Sequence, residues 1–166
     1  KDDDYVLGLP GRRLSVDERS FFNSEVLATL LDWCKIVCSY YDVPVDNFTV
    51  SFSDGRVLCL LVHHYHPELL PLSRIRMQTS LSHQLMELNA SRDFLSDSRL
   101  DPDLHRDNEK ENFRALADAM KGLNEVPYMI TPGDMLGTIP DEKVVVTFVS
   151  YLCAALVDIS QDFRAA

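Results

Sequence analysis

The sequence predicts an all-α domain, on three observations. Apolar residues recur at the three- and four-residue spacing of a helix face in four separate stretches, each stretch is bounded by helix start or stop signals, and no region is rich in strand patterns. The 166 residues suffice for one hydrophobic core and hardly for two. With 46% hydrophobic and 25% charged residues, the chain has the make-up of a folded domain rather than a disordered or low-complexity one. No internal repeat is present.

Residues 1–22 read as a polar arm broken by Gly8, Pro10 and Gly11, expected to lie extended on the domain. A single domain is expected over 23–160, with an insert at about 73–106 and the start of a C-terminal extension at 161–166. The first helix begins near Asn23 or Ser24, either of which can cap it. Leu27, Leu30, Leu31, Cys34, Val37, Cys38 and Tyr41 fall on one face of that helix and predict core. Trp33, Ile36 and Tyr40 form a second stripe roughly opposite, so the helix is either covered there by the N-terminal arm or offers an apolar edge to a partner.

Pro44 ends this helix, and Phe48, Val50 and Phe52 alternate through a short extended link. Ser53-Asp54-Gly55 supplies a cap and a tight turn for a second helix carrying Val57, Leu58, Leu61, Val62 and Tyr65, stopped at Pro67. From Leu69 to Arg106 the pattern is weak, with one short helix suggested by Leu81, Leu85 and Leu88 and broken at Asp101-Pro102. A third main helix is expected from about Asn108, with Glu109 and Glu111 at the positive end of its dipole and Phe113, Leu116, Ala117 and Met120 on its core face. Residues 126–138 read as a loop. The last helix opens at Pro140-Asp141-Glu142 and is apolar almost all round from Val144 to Ile159, which predicts a central helix wrapped by the others.

Sixteen basic against 26 acidic residues give a formal charge of −10. Such a surface repels nucleic acid and anionic lipid, and neither Arg12-Arg13 nor Arg74 with Arg76 has the aromatic interleaving of a nucleic-acid binder. The longest apolar run is shorter than the roughly 20 residues of a membrane span. Cys34, Cys38, Cys59 and Cys153 all lie in apolar helical patterns and read as reduced core residues of a cytosolic or nuclear protein. Under that reading the sequons at Asn47 and Asn89 are chance matches. The start without Met and the helix-like ending suggest a segment of something longer.

No metal site is expected. His63 and His64 point about 100° apart on a helix, and His66 falls on the terminating turn. Asp101, Asp103, Asp107 and Glu109 lack the glycine and the spacing of a calcium loop. Ser51, Ser53 and Asp54 stand in no nucleophile elbow and no phosphate loop exists, so no catalytic residue, cofactor site or enzyme activity is expected; a hydrolase would need a deep polar pocket joining scattered Ser, His and Asp residues. Two modification motifs stand out. Arg12-Arg13 precede Ser15 as basophilic kinases require, and Thr131-Pro132 is a minimal proline-directed site.

Leu30-Leu31-Asp32-Trp33, the Phe52-to-Leu58 helix start, Asn112-Phe113 and Pro140-to-Val144, in this order over Leu27 to Ile159, resemble a calponin homology domain. The runs Asn47 to Cys59, His63 to Pro67 and Thr138 to Val145 are most similar to the second of the paired calponin homology domains in the abnormal spindle family. The resemblance implies a non-enzymatic cytoskeletal module of a mitotic spindle-pole protein, found in cytoplasm, cytoskeleton, spindle pole and centrosome, with the interphase nucleus a further location. It implies F-actin or microtubules as partners, bound weakly by this domain alone and better with a preceding calponin homology domain, and calmodulin bound by segments outside this chain. By position it assigns filament contact to Thr29, Asp32, Lys35, Ile36 and Ser39. The apolar stripe of Trp33, Ile36 and Tyr40 is the candidate interface, the domain is expected to be a monomer, and an acidic scaffold or intramolecular regulatory role is the alternative function.

Overall fold

A computed structural model describes the backbone of residues 16–89 and 101–157 and the side chains of 23–84 and 101–157. Among the described residues six α-helices follow one another: α1 (Val16–Ser39), α2 (Arg56–Tyr65), α3 (Ser80–Asn89), α4 (Pro102–Met120), α5 (Pro132–Met135) and α6 (Glu142–Leu156). Single 3₁₀ turns, η1 (Val50–Phe52) and η2 (Leu72–Arg74), complete the order, and no strand occurs among the described residues. The domain is all-α, as its periodicity predicts.

The core is organised about α2, which corrects the expectation of a central C-terminal helix. Every residue of α2 from Arg56 to Val62 is buried, and α1, α4, α6 and η1 all pack on it. In α6 only Val145, Phe148, Val149, Leu152 and Leu156 are buried, while Val144 and Tyr151 reach solvent. An apolar surround is needed for a central helix, and α2 has it too over Val57 to Val62; so short a run of V, L and C gives no sequence signal that separates it from a one-sided helix.

Several boundaries also move. α1 starts at Val16 rather than at Asn23 or Ser24, so the last residues of the supposed arm are helical. Residues 16–22 contain no Gly or Pro, and helix formation runs outward past the apolar face once the remainder is packed. At the other end α1 stops at Ser39, before Pro44, where Asp42 takes a left-handed φ of 59° and the Val43 N–H reaches back to the Cys38 carbonyl at 3.2 Å. The link expected to be extended holds the 3₁₀ turn η1 instead, which turns Val50 outward and stacks Phe48 on Phe52 with ring centroids 5.8 Å apart.

α4 starts at Pro102, not at Asn108, so Glu109 and Glu111 lie well inside it and Asp103 is the acid of its first turn. The Asp101-Pro102 pair, expected as a break, begins a helix. Asp101 Oδ1 accepts from the N–H groups of Asp103 and Leu104 at 3.0 and 3.2 Å, and Pro102 sits where a missing N–H is harmless. Asp141 caps α6 in the same way, accepting from Lys143 and Val144. α3 occupies the weakly patterned insert where Leu81, Leu85 and Leu88 suggest a helix. The loop over 126–138 contains the one-turn α5.

A buried polar joint fastens α2 to α4. Gly55 caps α2 with φ of 79°, and a Cβ there would stand 2.9 Å from Asn112 Cβ. Asp54 does the side-chain capping: its Oδ1 accepts from the Arg56 N–H at 3.1 Å, and its Oδ2 accepts from Arg56 Nε at 2.6 Å and Thr79 Oγ1 at 2.7 Å. Asn112, fully buried, donates from Nδ2 to the carbonyls of Asp54 and Arg76 and accepts at Oδ1 from the Arg76 N–H at 2.7 Å. At the surface, Arg74 ties η2 to α4 through Glu111 and Asp118, and its hydrogen bond holds the Asp118 carboxyl below the usual range.

All four cysteines are free thiols. Burial raises Cys34 and Cys59 strongly, pushes Cys38 up to about 12 and raises Cys153. A thiol reagent needs the thiolate, so native protein at about pH 8 should leave Cys34, Cys38 and Cys59 unlabelled and denatured protein should titrate all four. Rapid native labelling at Cys38 would contradict this burial.

Candidate functional site

The five residues assigned by resemblance share one side of α1. At 100° per residue, Thr29, Asp32, Lys35, Ile36 and Ser39 fall within an arc of about 120°, roughly opposite Leu30, Cys34, Val37 and Cys38. All five are exposed, Ile36 by 61%. Two of them already have internal partners: the Thr29 hydroxyl donates to the Glu25 carbonyl at 2.9 Å and the Ser39 hydroxyl to the Ile36 carbonyl at 2.6 Å. Among the described residues Asp32 and Lys35 form no ion pair, so with Ile36 they present the face's available chemistry.

The apolar stripe divides. Trp33 is half-buried against the core, and its indole Nε1 donates to Tyr65 Oη at 2.9 Å, with the two rings 6.2 Å apart. Tyr40 is 71% exposed, with its ring stacked on His64 at 5.4 Å. Tyr41 Oη and His64 Nδ1 lie 3.0 Å apart, and the Tyr41 ring meets His63 edge-on. Thus α1 and α2 are joined at their C-terminal ends by a seam of Trp33, Tyr40, Tyr41, His63, His64 and Tyr65. Sequence reading assigned no role to this seam: its two halves lie more than twenty residues apart, and only the packing of α1 on α2 brings them together.

The histidines are occupied by this seam and its surroundings. His63 Nδ1 is 2.9 Å from the Leu70 carbonyl, and His66 Nδ1 is 2.9 Å from Glu68 Oε1, which contributes to a lowered Glu68 carboxyl, second to that residue's own backbone hydrogen bond. No group of three metal-ligating side chains stands together among the described residues. The groups a hydrolase would use are dispersed. Ser51 Oγ accepts from the backbone N–H groups of Asp46 and Asn47, while Asp54 is enclosed by Arg56 and Thr79. The Thr131 hydroxyl donates to Asp134 Oδ2, and Ser15 lies outside the described residues.

A buried capping joint between α2 and α4 and an exposed α1 pinned by its tryptophan are accompanied by a direct family match: the calponin homology (CH) domain model fits residues 25–157. The chain belongs to the calponin homology family. Within it, this calponin homology domain is 41% identical over 184 aligned residues to the abnormal spindle-like microcephaly-associated protein of Homo sapiens, and equally to its homolog from Pongo pygmaeus. These alignments cover 99% of the chain and 5% of the relative. The homolog from Ovis aries is 43% identical over 161 residues, covering 86% of the chain. The calponin homology domain described here therefore corresponds to a small part of the length of its relatives.

Proposed function

We propose that this domain is a non-enzymatic cytoskeletal module that contributes to F-actin or microtubule association, and to spindle organisation, with the outer face of α1 as its contact. One observation carries the reading: Asp32, Lys35 and Ile36 stand together in solvent on a helix whose orientation Trp33 fixes through Tyr65. A preformed face loses little side-chain and backbone freedom on docking, which is where small contacts otherwise forfeit affinity. Ile36 supplies the apolar centre and Lys35 a cation toward acidic filaments, with Tyr40 extending the same patch. The proposal includes a preceding calponin homology domain that strengthens binding, calmodulin binding by segments beyond this chain, and residence at the spindle pole, centrosome and cytoskeleton.

Co-sedimentation tests it, with this domain alone and joined to its preceding domain, against F-actin and microtubules across a salt series. Pelleting with one filament, weakening as salt rises, is expected. The paired substitution Lys35→Glu with Ile36→Ser should weaken it about tenfold, equivalent to about 1.4 kcal/mol. Pelleting left unchanged by that pair removes α1 as the contact. The formal charge of −10 favours a second reading, an acidic scaffold that docks a basic neighbour, and absence of pelleting by both forms at low salt selects it.

A further inference from the structure

Away from the α1 face, a groove of about 670 Å³ lies among η1, α3, the first turns of α4 and the loop from Leu136 to Ile139. That volume is within the range of peptide and small-ligand sites, about 300–1,000 Å³. Its apolar lining is Val50, Leu81, Leu136 and Ile139. Ile139 is 77% exposed and Val50 40%. The loop that carries Leu136 and Ile139 is shaped by Gly137 at φ of 72° and held by a hydrogen bond from Thr138 Oγ1 to the Asp134 carbonyl at 3.1 Å.

The charge of this groove runs against that of the chain. Arg106 and Lys110 line it one helical turn apart on α4, both exposed, and neither forms an ion pair among the described residues. Among the described residues Glu109 is the only carboxylate in the lining, and it is already engaged: its Oε1 accepts from both the N–H and the hydroxyl of Ser80, at 3.1 and 2.6 Å. Two available cations thus flank exposed aliphatic side chains in a chain of formal charge −10. Complementarity therefore selects an anionic, partly apolar occupant.

We propose that this groove docks an acidic linear peptide of a partner protein, its carboxylates on Arg106 and Lys110 and its apolar side chains against the Val50, Leu81, Leu136 and Ile139 wall. An extended peptide repeats its side chains on one side every ~6.6 Å, close to the ~6.0 Å rise over the four residues from Arg106 to Lys110. Carboxylates at alternate positions therefore reach both cations, and the residues between them face the aliphatic wall. None of Thr29, Asp32, Lys35, Ile36 or Ser39 lines the groove, so it is a surface separate from the α1 face.

The test is a fluorescence anisotropy titration of the 166-residue chain against a labelled octapeptide alternating Glu with Leu and Ile. Binding that weakens with salt is expected. A peptide with Lys for every Glu, and one with Ser for every Leu and Ile, should each bind at least tenfold more weakly. Arg106→Glu with Lys110→Glu should weaken the alternating peptide at least tenfold, and Ile139→Ser severalfold; Lys110→Gln serves if the double reversal does not fold. No binding of the alternating peptide, binding indifferent to these substitutions, or equal binding of the Ser-containing peptide would overturn the proposal. Binding that emerges only after Asp2, Asp3 and Asp4 are changed to Asn would also overturn it, by making the chain's own N-terminal segment the occupant.

Discussion

Asp54→Ala is expected to lower the stability of the domain by about 3–5 kcal/mol, the effect of removing one partner from a buried ion pair. Asp54 is 1% exposed and Arg56 5%, so water cannot replace the lost carboxylate. Three donors lose their acceptor together: the Arg56 N–H, Arg56 Nε and the Thr79 hydroxyl. The N–H belongs to the first turn of α2, the helix on which the others pack, so the loss strikes the centre of the fold. Against a total stability of about 5–15 kcal/mol, the variant should show a large drop in urea midpoint. Asp54→Ala with Arg56→Met should recover part of the loss, because no charge then remains buried alone. A midpoint unchanged by Asp54→Ala would show that the pair contributes nothing.

Asn112→Ala should lose about 3–5 kcal/mol, at about 1–3 kcal/mol for the buried Asp54 carbonyl left without a partner and about 1 kcal/mol for each of the two part-buried Arg76 groups. The amide joins three backbone groups from two distant segments: the Asp54 carbonyl before α2, and the carbonyl and N–H of Arg76 before α3. Alanine abandons all three. Asn112→Asp keeps the acceptor for the Arg76 N–H, but it removes both donors and buries a second carboxylate near Asp54, so it should be no milder. Urea unfolding of the two single variants and of Asp54→Ala with Asn112→Ala forms a double-mutant cycle. Because the side chains share the Asp54-to-Arg76 joint, the losses should be non-additive by about 0.5–3 kcal/mol. An Asn112→Ala loss within 0.5 kcal/mol of zero would sink the account, since that is the range of ordinary surface changes.

These two residues also matter to the proposed groove. The same joint seats α4 against α2 and carries the chain from Arg76 into α3, so it positions Arg106, Lys110 and Leu81. The α1 face depends on a different fastening, Trp33 to Tyr65. Damage to one surface therefore need not reach the other except through loss of the whole fold.

Helix type and order were readable from residues 27–157 because a helix face leaves a local record, an apolar residue every three or four positions. The acidic start at Asp141 was readable for a similar reason: it caps through N–H groups two and three residues away, so the signal lies within one turn, whereas Asp101, which caps in the same way, reads in the sequence only as a break. A proline stops a helix that precedes it and is equally at home in the first turn of a helix that follows, so Asp101-Pro102 by itself does not say which. The length of α1 was less legible, because its first residues continue a helix whose support comes from packing farther along.

For the interaction surfaces, 100° per residue let the sequence place Trp33, Ile36 and Tyr40 on a second side of α1, but left open whether the N-terminal arm covers that side, and Thr29, Asp32, Lys35, Ile36 and Ser39 followed only from the family resemblance. The sequence could not separate Trp33 from Ile36 and Tyr40. That division depends on Tyr65, 32 residues away, whose hydroxyl captures the indole and leaves the other two in solvent. Nor could it show that α2 rather than α6 is central, or that Arg106 and Lys110 share a groove with Val50 and Ile139. Local periodicity specifies which residues share a helix face, but which faces meet is set by contacts between residues far apart in the chain, and those contacts exist only after the helices have packed.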